Sequence, residues 1–74
     1  MSRLKVLSGR EVCAILAEHG FFKVRQRGSH IVMPLRLPHT TITLPVPNHR
    51  ELDRGTLRGI IRQSGLDRAL FETD

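Results

Sequence analysis

GFFKVRQRGSHIVMPL, residues 20–35, is where the chain changes its period, and the fold follows from how that change is read. Upstream, Val12, Ile15, Leu16 and His19 recur at helical spacing, and Gly20 is the left-handed stop that such a helix calls for. From Phe21 the period becomes two. Phe22, Val24 and Gln26 share one side of an expected strand, while Phe21, Lys23, Arg25 and Arg27 share the other. Gly28 and Ser29 make a turn, and the next strand sets Ile31, Met33 and Leu35 on one face with His30 and Val32 on the opposite one.

Working outward, Ser8 followed three residues later by Glu11 reads as a capping box, and Leu7 with Val12 as a hydrophobic staple. The helix therefore starts near Gly9 and runs for about three turns. Beyond Leu35, the run TITLPV predicts a third strand with Ile42, Leu44 and Val46 inward and Thr41 and Thr43 outward. Asp53 is the expected N-cap of a second helix, stapled by Leu52 and Leu57. Its inner face is Leu57, Ile60, Ile61 and Ser64, and Gly65 ends it. LDRALF then predicts a short terminal helix in which Leu66, Leu70 and Phe71 complete the core. Pro34 lies inside the middle strand and predicts a bulge or an early end to pairing. The RLPH connection around Pro38 is unlike a short polar turn.

Helix, three strands, helix implies an α+β fold: a two-layer α-β-β-β-α sandwich, with both helices on one face of an antiparallel sheet and the other face open. Seventy-four residues suffice for one domain, 1–74, with a modest core. Twelve Lys and Arg against seven Asp and Glu give a net charge of +5 and a pI near 11.1, which favours a polyanionic partner. Cys13 stands alone, so neither an internal disulfide nor a thiolate zinc cluster is expected. MSRLKVLSG lacks the apolar core of a signal peptide, and no apolar run reaches membrane-spanning length. A soluble, cytoplasmic protein without a membrane partner is the expectation.

If the aliphatic sets face the helices, Lys23, Arg25, Arg27, His30 and Thr43 emerge on the open face. An imidazole there is a candidate catalyst, because cationic neighbours oppose the imidazolium and a neutral ring can take up a proton near pH 7. A lone histidine is more often a residue without chemistry, and a charge run more often a solvated face. Gly28 serves the turn first, with close approach of a phosphate second. Ser29 either caps the turn or bonds a phosphate. His19 suits a helix C-terminus, and His39 reads as loop. The four histidines lack metal-ligand spacing, so neither a metal nor another cofactor is expected. Arg54, Arg58 and Arg62 form a basic stripe on the second helix, which serves solubility, RNA or a protein partner.

GFFKVRQRGSH, PVPNH and GTLRGIIRQSGL together resemble the HicA family of toxins from bacterial HicAB toxin-antitoxin systems, over nearly the whole chain. That resemblance implies a double-stranded-RNA-binding-domain-like fold, cleavage of mRNA that inhibits translation, a catalytic histidine at His30 and neutralisation by a HicB-type antitoxin. His49, in PVPNH, matches a position that is often histidine in relatives, and is either an auxiliary contact to RNA or an exposed loop residue. The chain departs from the pattern at Ile31 and Val32, where many relatives carry a further histidine or an aromatic residue.

The expected function is thus a metal-independent endoribonuclease. His30 is its catalytic residue, and Lys23, Arg25, Arg27, Gly28, Ser29 and His49 line the RNA-binding surface. Phe22 and Phe71 belong to the core on this reading, which leaves Phe21 as the base-stacking platform. A non-catalytic RNA-binding module is the alternative. A basic surface that serves only an acidic protein partner ranks last.

Overall fold

Ser8 opens the first helix with the reciprocal bonds its sequence predicts. Its hydroxyl accepts from the Glu11 N–H at 3.0 Å, and the Glu11 carboxylate accepts from the Ser8 N–H at 2.8 Å. In the computed structural model, which describes residues 2–23 and 25–73, that helix is α1, Gly9–Glu18. The other elements are β1 (Arg3–Leu4), β2 (Arg25–Arg27), β3 (His30–Arg36), β4 (Thr41–Pro47), α2 (Arg54–Ser64), a 3-10 turn (Arg68–Phe71) and β5 (Glu72–Thr73). Asp53 caps α2 by accepting from the Thr56 N–H at 2.6 Å, and Gly65 ends it at φ 72°.

The sheet is antiparallel in the order β2-β3-β4, so β3 is central. Both helices cover one face, α1 against β3 and β4 and α2 against β4. Val12 and Leu16 of α1, Leu57 and Ile60 of α2 and the odd-numbered Ile31 and Met33 of β3 are buried between the layers. Leu44 and Val46 of β4 join them, with Ile42 half-buried. Phe71 is fully buried and closes one end of the core; burial of such a side chain is worth about 1.5–3 kcal/mol. The α+β sandwich expected from the sequence is the fold observed.

The structure corrects the sequence reading of the first strand. β2 begins at Arg25, not Phe21, and the expected inward place of Val24 lies outside the described residues. Phe21 is core, 2% exposed, whereas Phe22 is 41% exposed. The cause is the way α1 ends. Gly20 is left-handed at φ 96°, and the Phe21 N–H donates back to the Leu16 carbonyl at 3.1 Å. This is the long bond of a Schellman motif, which turns the residue after the glycine onto the helix's last apolar position. The helix cap therefore decides which phenylalanine is buried, before any strand alternation begins. Phe21 is consequently not available as a stacking platform.

Of the two outcomes expected at Pro34, the bulge is absent, since β3 pairs with β4 without interruption from His30↔Pro47 through Pro34↔Thr43 to Arg36↔Thr41, while pairing with β2 does end early, at Arg25↔Val32. In an antiparallel strand the N–H and C=O of one residue point to the same side. The Pro34 carbonyl accepts from the Phe22 N–H at 3.0 Å, so its imide nitrogen also faces the β2 side, where β2 has already ended. No β3–β4 ladder bond is lost. The connection at 37–40 closes on a bond from the Leu37 N–H to the Thr40 carbonyl at 2.8 Å. A further element has no counterpart in the sequence reading: β1 pairs with β5, Arg3↔Thr73 and Leu4↔Glu72. No helix among the described residues is long and apolar enough to cross a membrane.

Candidate functional site

Two residues, Gly28 and Ser29, join β2 to β3. Gly28 has φ 55° and no non-glycine residue among the described ones has positive φ, the pattern of a type II′ hairpin turn, whose twist suits paired strands. The Gln26 amide donates to the Gly28 carbonyl at 3.2 Å and braces the turn from the strand. So tight a connection sets Arg27 directly opposite His30, with Arg25 opposite Val32.

Residues that pair across an antiparallel sheet project to the same face. Since Ile31 and Met33 point to the helices, His30, Val32, Pro34 and Arg36 point away, together with Arg25 and Arg27 of β2 and Thr41, Thr43, Pro45 and Pro47 of β4. His30, Arg25, Arg27, Arg36 and Thr43 are all exposed. Three arginines and the imidazole thus share the uncovered side of the sheet. Among the described residues the one ion pair joins Arg68 to Glu72, at 2.6 Å, so no carboxylate there engages the open-face cations.

Around His30 the framework is closely tied. The Ser29 hydroxyl lies 3.5 Å from Nδ1 of His30, at the outer limit of a hydrogen bond whose direction depends on the tautomer. The Ser29 carbonyl accepts from the Asn48 N–H at 2.6 Å, which carries the β3–β4 register one step past the strand end. The next residue, His49, has its carbonyl tied to the Gly9 N–H at 2.9 Å. His30, the turn and His49 therefore occupy one end of the sheet, held by the first residue of α1. Exposed His49 also acts on Asp53, whose carboxyl is held below its ordinary value chiefly by the bond from the Thr56 N–H and, to a smaller extent, by the His49 charge.

Lys23 is exposed but stands outside β2, and its ammonium acts on Cys13 of α1, whose thiol is pushed up mainly by burial and only slightly lowered by that charge. The structure does not set Lys23 in register with Arg25 and Arg27. It adds Arg36, which sequence reading overlooked although alternation from His30 through Val32 leads straight to it. The guanidinium of Arg36 lies over the Phe22 ring, 5.9 Å from its centroid. Arg54, Arg58 and Arg62 are exposed along α2. No group of three or more His, Cys, Asp or Glu among the described residues is placed to hold a metal ion.

What this geometry offers chemically is a proton-transfer group flanked by cations on an accessible surface, suited to a polymeric anion lying across the sheet. A search of curated proteins finds no match to the chain. A family model described as the HicA toxin of bacterial toxin-antitoxin systems matches residues 9–66, from the first residue of α1 to just past the cap of α2, and so spans the hairpin, His30 and His49. With most of its 74 residues under that match, the chain belongs to the HicA toxin family, whose members are the toxin half of a toxin-antitoxin pair.

Proposed function

We propose that this chain, as a single HicA-like domain over 1–74, is a metal-independent endoribonuclease that cuts mRNA in the cytoplasm and is held inactive by a HicB-type antitoxin. The observation that carries the reading is the direct cross-strand pairing of Arg27 with His30 on the sheet face that the helices leave bare. In the proposed step, His30 takes the proton of a ribose 2′-hydroxyl and the 2′-oxygen attacks the adjacent phosphorus. The bond from phosphorus to the 5′-oxygen breaks, leaving a 2′,3′-cyclic phosphate. The departing oxygen takes up a proton from the imidazolium and becomes a 5′-hydroxyl. In this step Arg25 and Arg27, on the same face as His30, are assigned to stabilise the charge that develops on the phosphorane, a role for which positioned cations are effective. Lys23, outside that register, is assigned to the approach of the RNA, as is His49. Gly28 and Ser29 shape the turn that presents His30.

An inhibitor that pairs with these arginines covers His30 as well, so antitoxin and RNA compete for one surface. The test is growth inhibition by the wild type and by His30→Ala. The variant is expected to lose toxicity while it keeps its fold and its affinity for the antitoxin. Retained toxicity would reject the assignment. RNA affinity should fall with salt, with a log-log slope of roughly −2 to −3 for three or four neutralised phosphates.

One observation favours the non-catalytic alternative. The side-chain partner described for His30 is Ser29 alone, and no carboxylate orients the imidazole among the described residues. On that reading His30→Ala leaves most of the biological effect intact, and the protein binds RNA without shortening it.

A further inference from the structure

The open face is not uniformly polar. Val32 and Pro34 of the central strand lie beside Pro45 and Pro47 of β4, with Arg25 and Arg27 of β2 on the other side and Arg36 at the end of β3. Pro34 is buried even though it projects away from the helices. Beside it, Phe22 donates its N–H to the Pro34 carbonyl and sets its ring against the Arg36 guanidinium. Arg36 holds the ring from one side, and the side chain remains 41% exposed. An exposed aromatic ring braced by a cation, on a surface that carries both apolar and cationic groups, suits a single-stranded nucleic acid, which offers both flat bases and phosphates.

We infer that Phe22, backed by Arg36, is a stacking site for a base of single-stranded RNA at a distance from the phosphate cut at His30. The inference rests on the ribonuclease reading for the meaning of that distance, and on the geometry alone for the site itself. His30 to Pro34 and Arg36 is four to six residues along β3, or roughly 13–20 Å at about 3.3 Å per residue. Stacked nucleotides rise about 3.4 Å each, so the base on Phe22 belongs to a nucleotide roughly four to six positions from the cut, or fewer where the strand is extended. RNA long enough to reach both places gains affinity that a trinucleotide cannot. Arg36 contributes in two ways, by fixing the ring and by offering its guanidinium to the phosphate beside the stacked base. Acidic protein is a poorer fit to the ring, because nothing in a carboxylate surface uses an open aromatic face.

The experiment compares wild type, Phe22→Ala and Phe22→Tyr on a trinucleotide and on an unstructured RNA of about twelve nucleotides, a length that covers the distance from His30 to Phe22. For Phe22→Ala, the rise in KM on the long RNA should exceed that on the trinucleotide by roughly five-fold or more, with kcat little changed, and Phe22→Tyr should restore the wild-type value. Equal effects on both substrates, or none on the long one, would overturn the stacking site. Should the wild type leave RNA uncut, the ribonuclease reading fails by itself, and the site is then decided by binding. Anisotropy of the labelled long RNA should show Kd raised roughly five-fold or more by Phe22→Ala and restored by Phe22→Tyr. An unchanged Kd, with only antitoxin affinity lost, would assign Phe22 to the protein partner and sink the proposal.

Discussion

Replacing Gly9 by alanine puts a methyl group into a space that the fold has already filled. A Cβ there would overlap the Pro47 carbonyl oxygen and stand 3.0 Å from the carbonyl carbon and 3.1 Å from the Asn48 Cα, all of them backbone atoms. Comfortable carbon–carbon contact is about 3.5–4.0 Å, so α1 and the end of β4 must part by about an ångström. That movement stretches the 2.9 Å bond from the Gly9 N–H to the His49 carbonyl. Overpacking costs about 1–3 kcal/mol and a weakened hydrogen bond about 0.5–1.5, against a gain of at most about 1 from alanine's helix propensity. The net loss is about 1–3 kcal/mol, which for a domain of this size lowers Tm by roughly 5–20 °C. Gly59 is the control, because a Cβ inside α2 there meets nothing within 4 Å. Gly59→Ala should raise stability by about 0.5–1 kcal/mol. Thermal and urea unfolding followed by circular dichroism measure both. A Gly9→Ala protein as stable as the wild type, or stabilised like Gly59→Ala, would refute the close approach of α1 to the strand end that carries His49.

The two adjacent phenylalanines should behave oppositely. Phe21→Ala should cost about 3–5 kcal/mol, much of the stability a domain this small commands, while Phe22→Ala should leave the urea midpoint nearly unmoved; the reverse order would restore the simple strand alternation. Acid unfolding should report the two helix caps. The Glu11 carboxyl is held low chiefly by its bond from the Ser8 backbone, and that of Asp53 chiefly by the bond from the Thr56 N–H. Because both folded values lie below the unfolded ones, their contribution is present above about pH 4 and fades as pH falls through the folded values. Asp53→Asn keeps the capping oxygen but not the titration, so its stability should fall less steeply below about pH 4 than that of the wild type; identical acid profiles would count against the cap as the cause.

Much of this architecture is legible in the chain because local signals agree with one another. Ser8 and Glu11, Asp53, and Gly65 fix the helix ends, and the alternation from His30 to Leu35 fixes the sheet face. Once that face is set, the placement of Arg25 and Arg27 beside His30 follows from a two-residue turn. The misreadings have physical causes. Phe21 obeys the geometry of a helix cap, so counting strand alternation back from Arg27 gives the wrong phenylalanine. Pro34 is tolerated in a central strand because its neighbour β2 stops short; the proline announces an interruption of pairing but not the side on which it falls. Strands of two residues, such as β1 and β5, have no period to detect. Arg36 was within reach, since its parity is that of His30.

If the imidazole on the bare sheet face performs the proposed cut, the RNA ends will carry its signature. Purified protein and its His30→Ala variant, each incubated with one defined RNA in the presence and absence of EDTA, should be compared by mass spectrometry of the fragments. The expected products are 2′,3′-cyclic or 3′-phosphate ends with 5′-hydroxyls, indifferent to EDTA and missing from the variant. Fragments ending in 3′-hydroxyls, or the same cyclic ends made equally well without His30, would contradict it.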